Sequence, residues 1–251
     1  MIPNVGRIVV HDDALDLARA VAEEFVTRST RAVRERGRFA VALTGGSSPV
    51  EAYRLLGEAG FADRIPWRDV HLFWGDDRVV PAAHPRSNFG LAHRLFIGRV
   101  PIPPANVHRV RGELNAARAA ERYERELHDF FAGPVRFDLI HLGLGDDGHV
   151  ASLFPFDRER LLERERPVVA SLLRELGEWR VSLTLPVLNA GRRVEFLLPS
   201  ATKARIARSA MRGPIDPVRM PAQGVIPGDG DLVWRLTREM ESACEALAPR
   251  D

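Results

Sequence analysis

Short apolar runs alternate with amphipathic stretches along almost the whole chain, and this pattern constrains the fold more than any other feature. Seven runs have the length of a β-strand: residues 7–10, 38–43, 70–74, 137–143, 180–185, 193–198 and 232–236. Strands separated by helices pair in parallel, and runs that are apolar on both sides belong in a sheet that helices cover on both faces. The pattern predicts an α/β fold with a mostly parallel, Rossmann-like sheet and helices on both faces.

The longest amphipathic stretch, residues 12–36, is predicted to be the first helix, because its apolar residues recur at three- and four-residue spacing. Asp12 or Asp13 is positioned to cap it. Runs 180–185 and 193–198 are close in sequence, which predicts either a local antiparallel pair or a short crossover. No repeat or clear linker interrupts the chain, so we expect one domain over residues 1–251.

The charge pattern argues against a nucleic-acid partner. The 251 residues carry 36 Lys and Arg against 34 Asp and Glu, a formal net charge of +2, and acidic residues accompany the arginines, as at 122–126. Such mixed runs are typical of solvated helix faces.

The apolar stretches are too short for a membrane partner. None approaches the roughly 18 residues of a membrane span, and the N-terminus lacks the apolar core of a signal peptide, so we expect a cytoplasmic protein. The one cysteine, Cys244, lies in a predicted helix at 238–247 and is expected to be structural.

Ligands of open α/β sheets bind beyond the carboxyl ends of the strands, so the loops that follow the runs are candidate sites. The first loop, Thr44-Gly45-Gly46-Ser47-Ser48-Pro49, opens a predicted helix that ends near Leu56. Ser48 is expected to cap this helix, with Glu51 at the capping-box position and Pro49 in the first turn. Free amides and the helix dipole then favour an anion such as phosphate, although glycine-serine turns also occur for steric reasons alone.

The second loop, Gly75-Asp76-Asp77-Arg78, is followed by Ser87-Asn88 at the start of a predicted helix that runs to Phe96. Two carboxylates beside an arginine bind sugar hydroxyls or hold the arginine against an anion. The alternative is a surface turn closed by an Asp–Arg pair.

The third loop, Gly143-Leu144-Gly145-Asp146-Asp147-Gly148-His149, combines three glycines, two aspartates and a histidine directly after an apolar strand. Glycines bring backbone amides close to a ligand, and a carboxylate two or three residues away orients an imidazole and raises its basicity. His149 is therefore the candidate general base, whereas His141, inside the strand, is expected to lie in the core.

Two later cations are candidates for the same pocket. Arg180 starts a predicted strand, and Lys203, the only lysine of the chain, follows another. A lone ammonium in a chain that otherwise uses arginine suggests a site that needs a compact charge, with chance as an equal alternative.

Together these motifs resemble the 6-phosphogluconolactonase family. The resemblance is carried by residues 43–49, 74–78 and 87–88 and, most specifically, by the Asp-Gly-His-Val-Ala-Ser-Leu-Phe-Pro run at 147–155, and it continues through 180–189 and 220–223. It implies hydrolysis of 6-phospho-D-glucono-1,5-lactone to 6-phosphogluconate in the oxidative pentose phosphate pathway, with no metal or organic cofactor. The chain departs from the family at Asp77, where Glu is usual, and at Ser200, where Gly is common before the lysine.

The residues and the resemblance together predict a site and a mechanism. The predicted substrate-binding residues are Gly45, Gly46, Ser47, Asp76, Asn88, Arg180 and Lys203, the first three holding the phosphate. The predicted catalytic residues are His149, Asp147, Asp146 and Arg78. His149 removes a proton from the water that attacks C1, Asp147 or Asp146 orients its ring, and Arg78 or loop amides stabilise the oxyanion.

Two alternatives stay open on sequence grounds. A glucosamine-6-phosphate deaminase resembles this chain through its own Asp-Gly-His loop, but continues with an Ile-Ala-Phe-Asn-Glu-Pro type sequence where this chain has Ser152, Leu153 and Phe154. A phosphosugar-binding module without catalysis is the other. The partner in each case is a small phosphosugar, and we expect a monomer or a small homo-oligomer.

Overall fold

The computed structural model describes residues 6–247, apart from the side chain of Glu175. Its strands are β1 (Arg7–His11), β2 (Phe39–Leu43), β3 (Val70–Trp74), β4 (Asp76–Arg78), β5 (Leu139–Leu142), β6 (Val168–Leu173), β7 (Glu178–Leu183), β8 (Arg193–Leu198) and β9 (Asp231–Thr237). Its α-helices are α1 (Ala14–Arg36), α2 (Val50–Leu56), α3 (Ala59–Ala62), α4 (Asn88–Leu95), α5 (Ala116–Phe131), α6 (Arg158–Leu161), α7 (Leu185–Ala190), α8 (Ala204–Arg212) and α9 (Arg238–Ala246).

Six strands form one parallel sheet in the order β1-β9-β8-β5-β2-β3. Helices pack against both of its faces. Along β2, Ala40 and Ala42 contribute to a core cluster that includes Leu127 of α5, whereas Val41 points the other way, into a cluster with Phe25 of α1. The predicted α/β class, with a mostly parallel sheet between helices, is confirmed.

The remaining strands form a separate antiparallel sheet in the order β4-β7-β6. Of the two alternatives for runs 180–185 and 193–198, the local antiparallel pair is wrong, because β7 pairs with β4 on one side and β6 on the other, and β8 belongs to the parallel sheet. Gly75 connects the two sheets: its amide donates to Leu43 O at 2.8 Å, and its carbonyl accepts from Leu183 N at 2.8 Å.

Helix starts show which capping predictions hold. Asp13 caps α1 by accepting from the amides of Leu15 and Asp16, and Ser87 caps α4 by accepting from Gly90 N. The predicted Ser48 cap is wrong. Pro49 occupies the cap position of α2, and no side chain within residues 6–247 caps that helix. Glu51 pairs with Arg54 one turn on rather than reaching back.

The order of the strands places the three predicted loops side by side. The loops after β2, β3, β5 and β8 follow four adjacent strands of the parallel sheet, so they meet at its carboxyl edge. Within residues 6–247, no helix combines the length and apolarity needed to cross a bilayer.

Candidate active site

A cleft with a volume of about 180 Å³ opens at the carboxyl edge of the parallel sheet. Its walls come from the loops after β2, β5 and β8, from β4, from the start of α4 and from β7. It is lined by Thr44, Gly45, Gly46, Ser47, Ser48, Asp76, Arg78, Asn88, Gly143, Leu144, Gly145, Asp146, His149, Ala151, Arg180 and Lys203. The structure thus brings ten of the eleven predicted site residues to one cavity; the eleventh, Asp147, lies behind the ring of His149.

The imidazole of His149 is held at one nitrogen. Asp147 Oδ1 lies 2.6 Å from Nδ1 and also accepts from the backbone amide of His149 at 3.0 Å. Nε2 has no hydrogen-bond partner among the described residues, and about a quarter of the side chain is exposed. Because a carboxylate only accepts, the proton of a neutral ring lies on Nδ1, and Nε2 is left as a proton acceptor.

Gly145 makes room for this ring. A Cβ built on Gly145 would lie 2.1 Å from His149 Nδ1, far inside van der Waals contact, so any larger residue would displace the imidazole. The carbonyl of His149 accepts from the Gly145 amide at 2.9 Å, which closes the turn. Burial tends to raise the pKa of Asp147, but the hydrogen bonds from the ring and amide of His149 outweigh it and lower the pKa. Asp147 is therefore an anion beside the ring at neutral pH.

Asp146 faces a different partner. Its Oδ1 lies 3.5 Å from Lys203 Nζ, and its side chain is almost fully exposed. Lys203 also donates to the carbonyl of Leu144 in the same loop. Of the two aspartates that the spacing allowed, Asp147 is the one in contact with the imidazole.

The loop after β2 presents unused donors. Thr44 N donates to Tyr53 Oη at 3.1 Å, but the amides of Gly45, Gly46, Ser47 and Ser48 donate to no acceptor within the described part of the chain. Gly46 has a φ of 75°, in the left-handed region that favours glycine. Consecutive amides at a cleft wall are suited to binding an anion.

Asp77 is a buried structural residue. It accepts from the amides of Arg78, Asn88 and Phe89, at 2.7 to 3.0 Å, and so holds the start of α4. Burial raises its pKa to about 6, although these hydrogen bonds oppose the shift. The alternative of a surface turn closed by an Asp–Arg pair is wrong for this loop, because Asp76 and Asp77 are both buried and pair with no arginine among the described residues.

Asp76 connects the second and third loops. Its Oδ2 accepts from Ser152 Oγ at 2.6 Å, and its carbonyl accepts from Asn88 Nδ2 at 2.8 Å. Asn88 Oδ1 is buried without a partner in the described chain and packs against Gly45. Ser152, to which sequence reasoning gave no role, therefore links the histidine loop to the wall that carries Asp76.

Two arginines face the cleft from the antiparallel sheet. Arg78 and Arg180 lie directly opposite each other on β4 and β7. Burial lowers the pKa of Arg180, although the charge of Asp76 opposes this shift, and Glu178 Oε1 accepts from its Nε at 2.9 Å. Sequence reasoning missed Glu178; the only signal was the two-residue spacing that places it on the same face of a strand as Arg180.

No group of three or more His, Cys, Asp or Glu side chains within residues 6–247 is arranged to hold a metal ion.

Comparisons with known proteins agree with the resemblance seen in the sequence. The family described as glucosamine-6-phosphate isomerases/6-phosphogluconolactonase matches residues 12–234. A 6-phosphogluconolactonase of Synechocystis sp. is 38% identical over 228 residues, which are 89% of this chain and 90% of that protein. The crystal structure of 6-phosphogluconolactonase from Thermotoga maritima is 30% identical, with a TM-score of 0.78 over 92% of this chain and 99% of the other.

A monomeric glucosamine-6-phosphate deaminase has the same fold, with a TM-score of 0.78 over 94% of this chain and 99% of the other, but only 18% of its residues are identical. Fold alone therefore does not separate the two activities. Because the family match spans most of the sequence and the Synechocystis relative aligns over nine-tenths of its own length, this chain belongs to the family of glucosamine-6-phosphate isomerases and 6-phosphogluconolactonases.

Proposed function

We propose that the chain hydrolyses 6-phospho-D-glucono-1,5-lactone to 6-phosphogluconate in the oxidative pentose phosphate pathway. Relatives named 6-phosphogluconolactonase, which align over most of the chain, support this activity. The single observation that carries the mechanism is that the open nitrogen of His149 and the unused amides of Gly45, Gly46 and Ser47 belong to one cleft.

The substrate carries a dianionic phosphate at one end and an activated ester at the other. The phosphate accepts hydrogen bonds from the amides of Gly45 to Ser47 and from the guanidinium groups of Arg78 and Arg180. Lys203 adds positive charge to the same cleft, and Asp76 and Asn88 contact the sugar. This arrangement presents the lactone carbonyl to His149.

His149 then acts as a general base. Nε2 takes a proton from water, whose oxygen forms a bond to C1, and the tetrahedral intermediate collapses with cleavage of the bond between C1 and the ring oxygen. The imidazolium returns its proton to the departing ring oxygen, and Asp147 stabilises the cation meanwhile. Because Arg78 is committed to the phosphate in this arrangement, backbone N–H groups of the cleft loops stabilise the oxyanion. No covalent enzyme intermediate is required.

The test is the disappearance of freshly prepared lactone at neutral pH with and without protein, because the lactone also hydrolyses on its own. We expect acceleration well above this background. A parallel reaction with glucosamine 6-phosphate, followed by ammonia release, tests deaminase chemistry, and ammonia without lactone hydrolysis would contradict the proposal. Binding of 6-phosphogluconate with neither reaction would indicate a non-catalytic module.

Three further expectations stay predictions: one domain over residues 1–251, a cytoplasmic location, and a monomer or small homo-oligomer.

A further inference from the structure

Arg78 and Arg180 carry like charges and lie side by side, so other contacts must hold them in place. They are a directly opposed pair of the antiparallel sheet, an arrangement that brings side chains on one face close together and that is unfavourable for like charges. Each also has several rotatable bonds, so ordering both costs conformational entropy. Something outside the pair must fix their positions.

Glu178 and Arg86 supply that connection. The Glu178 side chain, only 8% exposed, accepts from Arg180 Nε through Oε1 at 2.9 Å, and its Oε2 contacts Arg86 Nη2. The backbone carbonyl of Arg86 in turn accepts from Arg78 Nη1 at 2.6 Å. A continuous path of hydrogen bonds and ion pairs therefore runs from Arg78 through Arg86 and Glu178 to Arg180.

The path uses few of the donors on the two arginines. Arg180 donates only through Nε, and Arg78 only through Nη1, among the described residues. The remaining N–H groups belong to side chains that line the cleft. Planar guanidinium groups fixed in this way are suited to several parallel hydrogen bonds with one phosphate.

We propose that Glu178, together with Arg86, is a positioning residue that holds Arg180 and Arg78 in place for the phosphate of the substrate. The inference rests on the proposed function for the identity of that ligand. Because the two arginines are ordered before the ligand arrives, binding does not have to supply the free energy of ordering them. Glu178 acts through the arginines and need not touch the substrate.

Substitution of Glu178 separates this positioning role from a purely electrostatic effect, because the two predict opposite changes in the affinity for phosphate. Removal of a carboxylate near a bound dianion would by itself tighten binding. If Glu178 positions the arginines, Glu178→Gln instead weakens binding of the phosphate dianion. We expect the KM for the phosphorylated lactone, and the Ki of inorganic phosphate as a competitor, to rise about tenfold, the increase falling on KM rather than on kcat.

Three comparisons make the test specific. Hydrolysis of unphosphorylated glucono-1,5-lactone should be unaffected by Glu178→Gln, so the preference for the phosphorylated substrate falls about tenfold. Glu178→Asp, which keeps the charge, should recover part of the loss. The control is Glu35→Gln, because Glu35 forms ion pairs with Arg31 and Arg36 at the C-terminal end of α1. This variant should leave the KM for the phosphorylated lactone and the Ki of phosphate unchanged.

An unchanged or lower KM and Ki in Glu178→Gln would overturn the proposal. If that variant is too unstable to assay, Arg86→Met decides, because the Arg86 side chain is half exposed and the backbone contact to Arg78 is kept. It should raise both constants about threefold, and no change would equally overturn the role. If the wild type hydrolyses no lactone, the proposed function is wrong, while calorimetric titration of the same variants with inorganic phosphate still tests Glu178.

Discussion

The ring of His149 is hydrogen-bonded at Nδ1, and Nε2 has no partner among the described residues, so Nε2 is the nitrogen that can accept a proton from water. The hydrogen bond between His149 Nδ1 and Asp147 Oδ1 is short, 2.6 Å, and the same contact lowers the pKa of Asp147 and keeps its carboxylate ionised. A carboxylate that accepts from one ring nitrogen of a general base selects the ring tautomer and stabilises the imidazolium that forms during reaction. The proposed mechanism thus depends on a pair of residues two positions apart, Asp147 and His149.

Removing the imidazole tests its role directly. His149→Ala should lower kcat for lactone hydrolysis by two or more decades, since general-base catalysis contributes that much, while the affinity for 6-phosphogluconate stays nearly constant. The rate is measured after subtraction of the spontaneous hydrolysis. Turnover close to that of the wild type would exclude His149 as the base.

The neighbouring aspartates form a matched pair for a second prediction. Asp147→Asn replaces the acceptor at Nδ1 with an amide that can donate instead, which favours the wrong tautomer, so kcat should fall ten- to hundredfold. Asp146→Asn loses only an exposed contact to Lys203 and should have a much smaller effect. Equal losses in both variants, measured in the same assay, would mean that the contact with Nδ1 is not what matters.

The residue types of this pair were predictable, but the choice between them was not. Gly, Asp and His directly after an apolar strand indicated a basic imidazole beside a carboxylate. Asp146 and Asp147 both lie within reach of position 149 in sequence, and only the turn closed by Gly145 decides which one meets the ring. The close fit between Gly145 and the ring is likewise a three-dimensional fact.

At the scale of elements, the loop before α2 differs from an ordinary helix start. The predicted Ser48 cap would have satisfied an amide; instead the helix starts without a side-chain cap, and four successive amides keep their donors unused in the described chain. These amides precede the first helical turn, whose donors a Ser48 cap would satisfy, so an anion at this loop binds amides that the cap would leave unused. The unused amides support the predicted phosphate site.

Gly46 and Gly37 provide a controlled test of this loop. Their φ values are 75° and 76°, and neither would bring a Cβ within 4 Å of another atom, so alanine at either position costs about 1 to 2 kcal/mol of backbone strain. Gly46→Ala should also raise KM about tenfold, because the strain shifts the amides that we propose bind phosphate. Gly37→Ala, at the end of α1, should lower stability alone. A KM that responds equally to both would contradict the assignment.

The parallel sheet was predictable from the sequence and the antiparallel sheet was not. Long apolar runs such as β2 and β8 are buried on both faces and therefore stand out. β4 reads Asp-Asp-Arg and is buried through hydrogen bonds, so no apolar signal marks it. β7 was found as a run, but one of its partners, β4, is distant in sequence, and the other, β6, which directly precedes it, was not predicted as a strand.

At the scale of the whole molecule, the site is assembled by strand order. The loops after β2, β3 and β5 are far apart in sequence, and the rule that ligands bind at the carboxyl edge of a parallel sheet was sufficient to predict that they meet. The link from Arg86 to Glu178 lies outside that rule, because it joins a surface loop to a strand of the second sheet. Contacts of this kind are visible only in the folded chain.

The fold also makes stability depend on pH, through His141. This residue, confirmed as part of the core, is fully buried, with Nδ1 3.4 Å from Tyr53 Oη and Nε2 unpartnered among the described residues. Burial lowers its pKa from 6.5 to about 4. Between these values the unfolded chain binds a proton that the folded chain does not, so the free energy of unfolding falls by about 3 kcal/mol as the pH drops through this window.

Urea unfolding of the wild type and of His141→Asn, followed by circular dichroism from pH 7.5 to 4.5, measures this contribution. The buried Asp77 acts in the opposite direction, because its pKa is raised from 3.8 to about 6, so its stabilisation is present at low pH and lost as pH rises. Both proteins keep Asp77, so its effect cancels in their difference. The difference in the free energy of unfolding between the wild type and His141→Asn should become smaller as the pH falls. Substitution of the exposed His128 should leave the pH dependence of the free energy of unfolding unchanged. Parallel curves for wild type and His141→Asn would show that the buried imidazole does not govern acid sensitivity.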